Sequence, residues 1–596
     1  MRCYVPSAGK ISPANERLLA IADLMGAECI SIPVSPASSN PIGELERANI
    51  GESACIVLSP DVMQAWLATE EKLSSLVADI TSRFQYLLIH ELDSDVASER
   101  LLRAFSRGIL NSVRKPEKLT AGYCVSANSL CAEFSGLKFG PVTPADRVLI
   151  GESGSSLVES LVDVEGAPVF ARMKVNRAEL FVLGGIASGK AEFDTDLTDE
   201  AVAAYFREVV PLAMFLRHAF GNACWRPANE PGATFIVDDI PLWKRYGFLD
   251  YTKLLGMMDD FNFHTTIAFI PYYWKNTEAF TVGLFKERPD RLSVCFHGND
   301  HTAAELASRE SRQLGSMLTT ATTRMKSFTQ YTDIPCDNVI VFPQGNFSRA
   351  AMTALKEHRF LAAVNSHHCP RKEPTPLTLA DLLQPALLTY EGFPLFLRRY
   401  PKEMHAENIA WNAFFGRPIL IVEHHDIFKD PSCLLNVVTT VNKILPNVRW
   451  SNLQTTVEGA CLRRMDGDGV FRIRPYSAVG RVANPNRSPL TCVPEWPMAR
   501  EAGDAQVALS SGSTWIDANN AGTSRAFEIA PESEGRFALQ AVAALPIYPL
   551  LRHSIGQQAK IHVRRRLSEF RDNYVSRSPA TMSFVNFVRQ RLKSAS

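Results

Sequence analysis

Short apolar runs alternate with helical stretches near the start of the chain, and this alternation most constrains the fold. The apolar runs Cys29–Ile32, Ala54–Leu58 and Tyr86–Ile89 have the length of buried strands. Helical periods lie at Asn15–Met25 and Pro60–Ala78. Strands that alternate with helices predict a parallel sheet with helices on its faces. We therefore expect the chain to begin with a doubly wound α/β domain.

Changes in this pattern predict the domain boundaries. The polar turn 228–232 contains both proline and glycine, and it ends a first domain at 1–227. A second strand–helix alternation predicts another α/β domain at 228–456. Its strands are expected at Thr234–Val237, Thr265–Ile270, Leu292–Phe296, Asn338–Phe342, Phe360–Val364 and Ile419–Glu423. Short alternating runs separated by Gly, Pro, Asn and Ser then predict a small β-sandwich at 457–550, followed by a basic helical tail at 551–596.

Composition narrows the functional classes. The 596 residues are too many for one core, so several domains are expected. Lys and Arg together number 63, as do Asp and Glu, so net charge gives no argument for a nucleic-acid partner. The twelve cysteines form no C-x-x-C pair, a pattern typical of buried thiols in a reducing compartment. Neither a signal peptide nor a long apolar span is visible, and we expect a cytoplasmic protein.

Titratable side chains follow three of the strands predicted in the second domain. Asp238 and Asp239 end the first, His297 and His301 follow the third, and His424-His425-Asp426 follows the last. The carboxyl ends of strands in α/β barrels are where active sites assemble. Histidines four residues apart share one face when the turn between them is helical. Two imidazoles and one carboxylate are a usual ligand set for a catalytic zinc ion.

In these segments the chain resembles the polysaccharide deacetylases, a family of carbohydrate esterases. That family has a strand ending in Asp-Asp, then His-x-x-x-His, an Arg-Pro-Pro-Tyr-Gly-like loop and a late strand ending in Leu-His. Here Asp238-Asp239, His297/His301, the loop 341–345 and the late His425 occur in the same order. The resemblance covers about 234–451 and implies a distorted (β/α) barrel.

The resemblance also implies a function and a role for each residue. Asp239, His297 and His301 would bind one divalent ion, zinc by preference. Asp238 would be the general base and His425 the general acid in hydrolysis by metal-activated water. The reaction would remove an acyl group, such as acetyl, from an amide or ester of a carbohydrate. Val341 stands where the family's third motif has arginine, which leaves open a second reading: a carbohydrate-binding or scaffolding protein of a polysaccharide-synthesis assembly.

Aromatic residues near the predicted strand ends are candidates for sugar binding. Tyr273 and Trp274 follow the second strand of this domain, and Trp411 precedes the last. Aromatic rings can stack on sugars, but packing against a lid or a neighbouring domain explains them equally well.

Three other segments resemble functional motifs. Gly122–Ser126, around Cys124, resembles the nucleophile elbow of glutamine amidotransferases, and the first domain resembles amidotransferases or flavodoxins in topology. The elbow lacks its closing glycine, and we expect this domain to be non-catalytic. The run Gly184–Ala191 lacks the hydroxyl residue of a phosphate-binding loop. The basic, partly amphipathic tail predicts either a solvated helix or a peripheral contact with an anionic membrane or a polysaccharide-synthesis partner.

Overall fold

The structure is a computed structural model. It describes residues 1–7, 9–34, 54–66, 70–118, 122–151, 157–185, 199–302, 304–497, 506–511, 514–517, 526–540 and 547–577. Two compact units are present. The first comprises Met1–Arg226, Leu377–Leu383 and Arg463–Phe471, and the second comprises Pro227–Pro376, Gln384–Leu462 and Arg472–Ser596.

A nine-stranded sheet organises the first unit. In spatial order its strands are Cys29–Pro33, Cys3–Ser7, Ala54–Leu58, Phe84–Leu92, Ala178–Gly184, Ala167–Val175, Val158–Val164, Tyr123–Val125 and Lys138–Phe139. Neighbours among the first five run parallel, and the remaining pairs run antiparallel. The unit is therefore mixed α/β, with a parallel half and an antiparallel half.

Two helices of the first unit begin at residues whose side chains cap them. The α-helices are Pro13–Leu24, Pro60–Trp66, Glu70–Arg83, Val96–Ser106, Phe206–Phe220 and Leu379–Leu383, with 3₁₀ turns at Ser129–Phe134, Asp199–Tyr205 and Gly221–Ala223. The Ser12 hydroxyl accepts a hydrogen bond from the backbone N–H of Asn15 at 3.2 Å, and the helix has proline in its first turn. Asp95 caps the helix of Val96–Ser106 in the same way. Leu110–Arg114 and Val148–Gly151 form a separate antiparallel pair.

A second large sheet lies in the second unit. Its strands, in spatial order, are Leu387–Tyr390, Phe393–Leu397, Ala362–Asn365, Cys336–Val341, Leu292–Phe296, Thr265–Phe269, Gly232–Asp238 and Ile419–Glu423, with Arg449–Trp450 pairing beside Gly232. All of these pairs are parallel except the first, which is antiparallel. The strands Thr265–Phe269, Leu292–Phe296 and Ala362–Asn365 are buried along their whole length, as expected for strands covered on both faces.

The two ends of this row of strands are linked. Arg399, just after the strand Phe393–Leu397, forms a parallel bridge with Ile421. The backbone N–H of Arg399 donates to Leu420 at 3.0 Å, and that of Val422 donates to Arg399 at 2.9 Å. The carboxyl ends of the parallel strands thereby face a common region, which is where the titratable residues lie.

The second unit contains eight α-helices among the described residues. They are Tyr251–Phe261, Ala279–Glu287, Ser311–Thr332, Arg349–Glu357, Ala406–Phe414, Ser432–Ile444, Leu453–Glu458 and Ile555–Phe570. Short 3₁₀ turns occur at Pro271–Tyr273, Glu305–Ala307, Pro343–Gly345, Pro401–Glu403 and His425–Lys429, and a π turn at Arg571–Val575 extends the last helix. Ser554 begins that helix with a capping box. Tail residues after 577 lie outside the described part.

The C-terminal strands are antiparallel. Val479–Asn484, Ser533–Gln540, Gln506–Ser511 and Thr514–Asp517 form one sheet, and Leu490–Pro494 pairs with Phe527–Ile529. Further strands lie at Cys461–Met465 and Phe471–Pro475. The β-sandwich expected at 457–550 stays a prediction. Within the described ranges, no helix has the length and apolarity needed to cross a membrane.

Candidate metal centre

Two adjacent carboxylates end the central strand Gly232–Asp238. Asp238 is still in the strand, and Asp239 turns away from it with a left-handed φ of 69°, which is uncommon outside glycine. The turn sends the two side chains in different directions. Oδ1 of Asp239 lies 3.1 Å from Nε2 of His297 and 2.9 Å from Nε2 of His301. The sequence-predicted ligand set is thus brought together, with one candidate ligand atom from each residue and all three atoms within 4.8 Å of one another.

His297 is held in the tautomer that a metal requires. It follows the strand Leu292–Phe296, is 1% exposed, and its Nδ1 lies 3.0 Å from the backbone carbonyl oxygen of Val341. A carbonyl can only accept, so Nδ1 carries a hydrogen, and Nε2 is the nitrogen that a metal ion would bind. Such a second hydrogen bond is typical of histidines that bind metals.

A tight loop carries His301 back towards Asp239. Gly298 has a φ of 65°, and a Cβ there would lie 1.8 Å from Oε1 of Glu305. That carboxylate accepts hydrogen bonds from the backbone N–H groups of Asn299 at 2.9 Å and Asp300 at 3.1 Å. Glycine is therefore required at 298, because any side chain would displace the carboxylate that fixes the loop.

The convergence of these groups fits a divalent cation. Oδ1 of Asp239 lies at hydrogen-bonding distance from both imidazole Nε2 atoms, and a cation placed among the three atoms would replace the protons that the histidines otherwise share with that oxygen. Burial by itself raises the pKa of Asp239, but the charges and hydrogen bonds of His301 and His297 outweigh burial and hold that pKa well below its ordinary range. Imidazole nitrogen with carboxylate oxygen is a donor set that suits zinc.

The second carboxylate has a partner that the sequence analysis missed. Nη1 and Nη2 of Arg398 each donate to one oxygen of Asp238 at 2.7 Å, and both side chains are 4% exposed. Burial raises the pKa of Asp238, but the guanidinium and the nearby His297 outweigh it and lower that pKa. Arg398 directly follows the strand Phe393–Leu397. The sequence did contain a signal for Arg398, since the apolar run 393–397 is followed directly by charged residues, as the other strands of the site are.

His425 lies at the end of the strand Ile419–Glu423 and is 5% exposed. A Cβ on Gly247, whose φ is 55°, would lie 2.3 Å from its Nδ1, so the glycine lets backbone pack directly on the ring. Nε2 of His425 lies 3.6 Å from Oδ1 of Asp572, on the π turn after the last helix. The hydroxyl of Tyr246 donates to the other oxygen of Asp572 at 2.7 Å.

The three predicted aromatic residues lie in different surroundings. Tyr273 is buried, and its hydroxyl donates to Oε1 of Glu569 at 3.0 Å. Trp274 is half-buried, with the Lys275 ammonium 4.6 Å from its ring centroid. Trp411 is 1% exposed on the helix Ala406–Phe414 and packs against Phe415. Trp411 is thus a core residue, and its buried ring is not available to stack on a sugar.

Neither the cysteine nor the glycine-rich run of the first unit forms a recognisable catalytic motif in the described residues. Cys124 lies in the middle of the strand Tyr123–Val125, between two antiparallel neighbours. A nucleophile elbow needs a sharp turn from a strand into a helix, and Cys124 does not lie on one. Residues 186–191 of the rejected phosphate-binding run lie outside the described residues.

Comparison with known proteins gives likenesses in structure only. No protein-family model and no curated protein sequence matches the chain. Similar solved structures include a family 4 carbohydrate esterase from Streptomyces lividans in complex with acetate, at 11% identity and a TM-score of 0.23, covering 37% of this chain and 91% of that one. A family 4 acetyl xylan esterase from Clostridium thermocellum, in complex with a cobalt ion, has 10% identity and a TM-score of 0.23, covering 38% of this chain and 89% of that one.

A polysaccharide deacetylase from Bacillus cereus gives a third match. It has 11% identity and a TM-score of 0.23, and the match covers 37% of this chain and 92% of that one. Esterases and deacetylases of carbohydrates thus recur among the structures similar to part of this chain. At these scores the likeness supports no assignment of activity, which has to rest on the geometry of the site.

Proposed function

We propose that the second unit is a metal-dependent hydrolase that removes an acyl group, such as acetyl, from a carbohydrate. One observation carries the proposal. Three candidate ligand atoms, from Asp239, His297 and His301, converge within 4.8 Å, and the buried carboxylate of Asp238 immediately precedes Asp239 in the chain. A ligand set beside a candidate base is the arrangement that metal-assisted hydrolysis needs.

The ion would be held by Asp239 Oδ1 and by Nε2 of His297 and His301. Three protein ligands leave coordination positions open, which is typical of catalytic rather than structural zinc sites. When bound, a zinc ion polarises a carbonyl group and lowers the pKa of water. The backbone carbonyl of Val341 contributes by fixing the ring of His297.

Asp238 is the candidate general base. Its pairing with Arg398 keeps the carboxylate ionised, and each carboxylate oxygen retains a second lone pair after accepting from the guanidinium. Asp238 can therefore accept a proton from the attacking water while Arg398 holds it in place. Val341 occupies the position of the third-motif arginine, and Arg398 supplies its guanidinium from the end of a different strand. This arrangement favours the enzyme over the scaffolding alternative.

His425 is the candidate general acid. An imidazolium can donate its proton to the nitrogen or oxygen that leaves with the sugar. Oδ1 of Asp572 lies 3.6 Å from Nε2 of His425 and helps to orient the ring. Asp572 is in turn fixed by the hydroxyl of Tyr246.

Metal content and acetate release together test the proposal. The purified chain is expected to contain about one divalent ion, measured by plasma mass spectrometry. His297→Ala and Asp239→Ala are expected to lower metal affinity by more than the ~10–100-fold typical of losing a second hydrogen bond to a ligand. His358→Ala, at the end of the helix Arg349–Glu357, removes a histidine that bonds Thr319 and the carbonyl of Ala354, and it should retain the ion.

The base is tested separately from the metal. Asp238→Asn should keep the ion and slow acetate release from acetylated sugars by about 10²–10⁴-fold, because that is the usual contribution of a general base. For the metal test, full occupancy in both His297→Ala and Asp239→Ala would contradict the proposed ligand set. Unchanged turnover in Asp238→Asn on an accepted substrate would assign the base elsewhere.

A further inference from the structure

One face of the last described helix, Ile555–Phe570, is apolar and exposed. The buried positions of the helix and of the π turn that follows it are Ile561, Arg565, Glu569 and Asp572. The opposite face carries an apolar stripe, each member of which is more than half exposed: Val563, Leu567, Phe570 and Tyr574. Their spacing of four, three and four positions places them on one side of the helix. The rings of Phe570 and Tyr574 pack together, with their centroids 5.3 Å apart.

Ile561 and polar contacts, rather than the apolar stripe, hold this helix against the rest of the second unit. An amphipathic helix in a globular protein normally turns its apolar side to the core. Here Glu569 accepts from the hydroxyl of Tyr273 at 3.0 Å, and Asp572 accepts from that of Tyr246 at 2.7 Å. The helix is thereby fixed without its stripe, and contiguous apolar side chains left on a surface mark a binding face.

Basic side chains border the apolar stripe. Each of the following lies three or four positions from a member of the stripe, the spacing at which side chains on a helix are neighbours: Lys560, Arg564, Arg566 and Arg571. The segment 555–577 contains six Lys or Arg and two acidic residues, and both acidic side chains are buried. Arg566 and Arg571 pair with those two carboxylates, Glu569 and Asp572. The exposed charge around the stripe is therefore entirely positive.

We propose that this face of the helix binds the surface of an anionic lipid membrane, with the apolar stripe among the acyl chains and the basic border at the phosphate groups. An apolar face bordered by Lys and Arg is typical of helices that lie in the plane of a membrane interface. A soluble polyanion would pair with the border and leave the stripe in water. A second copy of this chain would bring the same positive border against it. An anionic lipid surface complements both the stripe and the border.

The inner side of the same helix contacts the candidate metal centre. Oδ1 of Asp572 lies 3.6 Å from Nε2 of His425, and Nη2 of Arg565 lies 3.2 Å from Nδ1 of His301. A helix with its side chains is about 10–12 Å across, so membrane binding would hold the candidate site about that far from the lipid surface. Lipid binding itself is measured without turnover and does not rest on the proposed function.

Vesicle flotation of the full chain tests the inference. One set of vesicles is phosphatidylcholine alone, and the other is an equal mixture of phosphatidylcholine and the anionic lipid phosphatidylglycerol. The two test variants are Leu567→Gln/Phe570→Gln in the stripe and Lys560→Gln/Arg564→Gln in its border. Two matched controls change exposed residues of the same kinds on other helices of the second unit: Phe280→Gln/Tyr331→Gln and Lys253→Gln/Lys326→Gln.

Wild type should bind the mixed vesicles at least about 10-fold more tightly than the neutral ones, because each basic residue near an anionic surface contributes about fivefold. The border variant should lose about 10- to 30-fold in affinity for the mixed vesicles on the same basis. The stripe variant should lose at least about 10-fold, because two apolar side chains no longer leave water. Raising the salt from about 0.1 M to about 1 M should weaken binding by wild type. Both controls should bind as wild type does.

Three results would overturn the inference. The first is that wild type does not bind the mixed vesicles, or that the stripe variant binds them as tightly as wild type. The second is self-association of wild type, measured by sedimentation velocity, that the stripe variant abolishes while no vesicles are bound; this would assign the stripe to a second copy. The third is vesicle binding that Phe584→Gln/Phe587→Gln abolishes and the stripe variant retains, which would assign lipid binding to the segment 578–596.

Discussion

The buried pair of Asp238 and Arg398 gives the sharpest stability prediction. Arg398→Met removes a guanidinium that makes two bonds of 2.7 Å and leaves a carboxylate that is 3% exposed. Breaking a buried ion pair from one side typically costs about 3–5 kcal/mol, because the remaining charge is unsolvated and unpaired. We expect a loss of that size in chain stripped of metal by a chelator, where metal binding does not contribute.

A double-mutant cycle isolates the pair. Asp238→Asn alone leaves an unpaired guanidinium, and Asp238→Asn with Arg398→Met removes both charges. The double variant should therefore lose less stability than the sum of the single variants, by at least about 2 kcal/mol. The half-exposed pair of Arg288 and Asp259 is the matched control, with an expected coupling of about 0–1 kcal/mol.

The assay should follow the second unit rather than the whole chain. Two compact units can unfold separately, so a single melting temperature would mix their contributions. Amide exchange of the strand Gly232–Asp238 in increasing urea reports the local free energy of unfolding. A coupling no larger than that of the control pair would refute the buried ion pair.

Three further predictions concern other positions. Burial raises the pKa of Asp337 to about 7, so the stability that its protonated form contributes is complete below pH ~4 and is lost as pH rises towards 7. Asp337→Asn should therefore be more stable than wild type at pH 8, by at most about 4 kcal/mol, and equally stable near pH 4. Urea unfolding at the two pH values measures the difference. Gly298→Ala should displace Glu305 and weaken metal binding, whereas Gly256→Ala, in a helix with open space around the new Cβ, should leave metal binding unchanged and stabilise by about 0.5–1 kcal/mol. Cys124→Ser should leave acetate release unchanged, and stoichiometric labelling of Cys124 by a glutamine-like electrophile would contradict this.

The sequence located much of the candidate site because its residues follow the ends of apolar strands. Six strands of the central sheet were predicted from apolar runs, and each is present within about two residues of its expected bounds. The grouping of Asp239 with His297 and His301 then follows from parallel pairing, which brings carboxyl ends together. Arg398 was missed because its strand contains Pro394 and lies in a hairpin, a pattern that weakens a strand prediction.

The role of the last helix could not be obtained from periodicity. Hydrophobic patterns are interpreted on the assumption that the apolar face is buried, and here the buried face carries Arg565, Glu569 and Asp572. Their partners, His301, Tyr273 and Tyr246, lie between 264 and 326 residues earlier in the chain. Only the three-dimensional arrangement reveals that this helix is polar towards the site.

Val341 bears on whether the site can be catalytic. The polysaccharide deacetylases that segment 234–451 resembles in its motifs have an arginine at this position, and a valine there favours a scaffolding interpretation. What a buried base needs, however, is a cation at bonding distance, and any strand that ends beside Asp238 can provide one. Arg398 does so from a different strand, while the backbone carbonyl at Val341 orients His297, a contact that no side chain at 341 is needed to make. A valine at 341 therefore does not leave Asp238 without a cation, and the turnover of Asp238→Asn against wild type decides between hydrolase and scaffold.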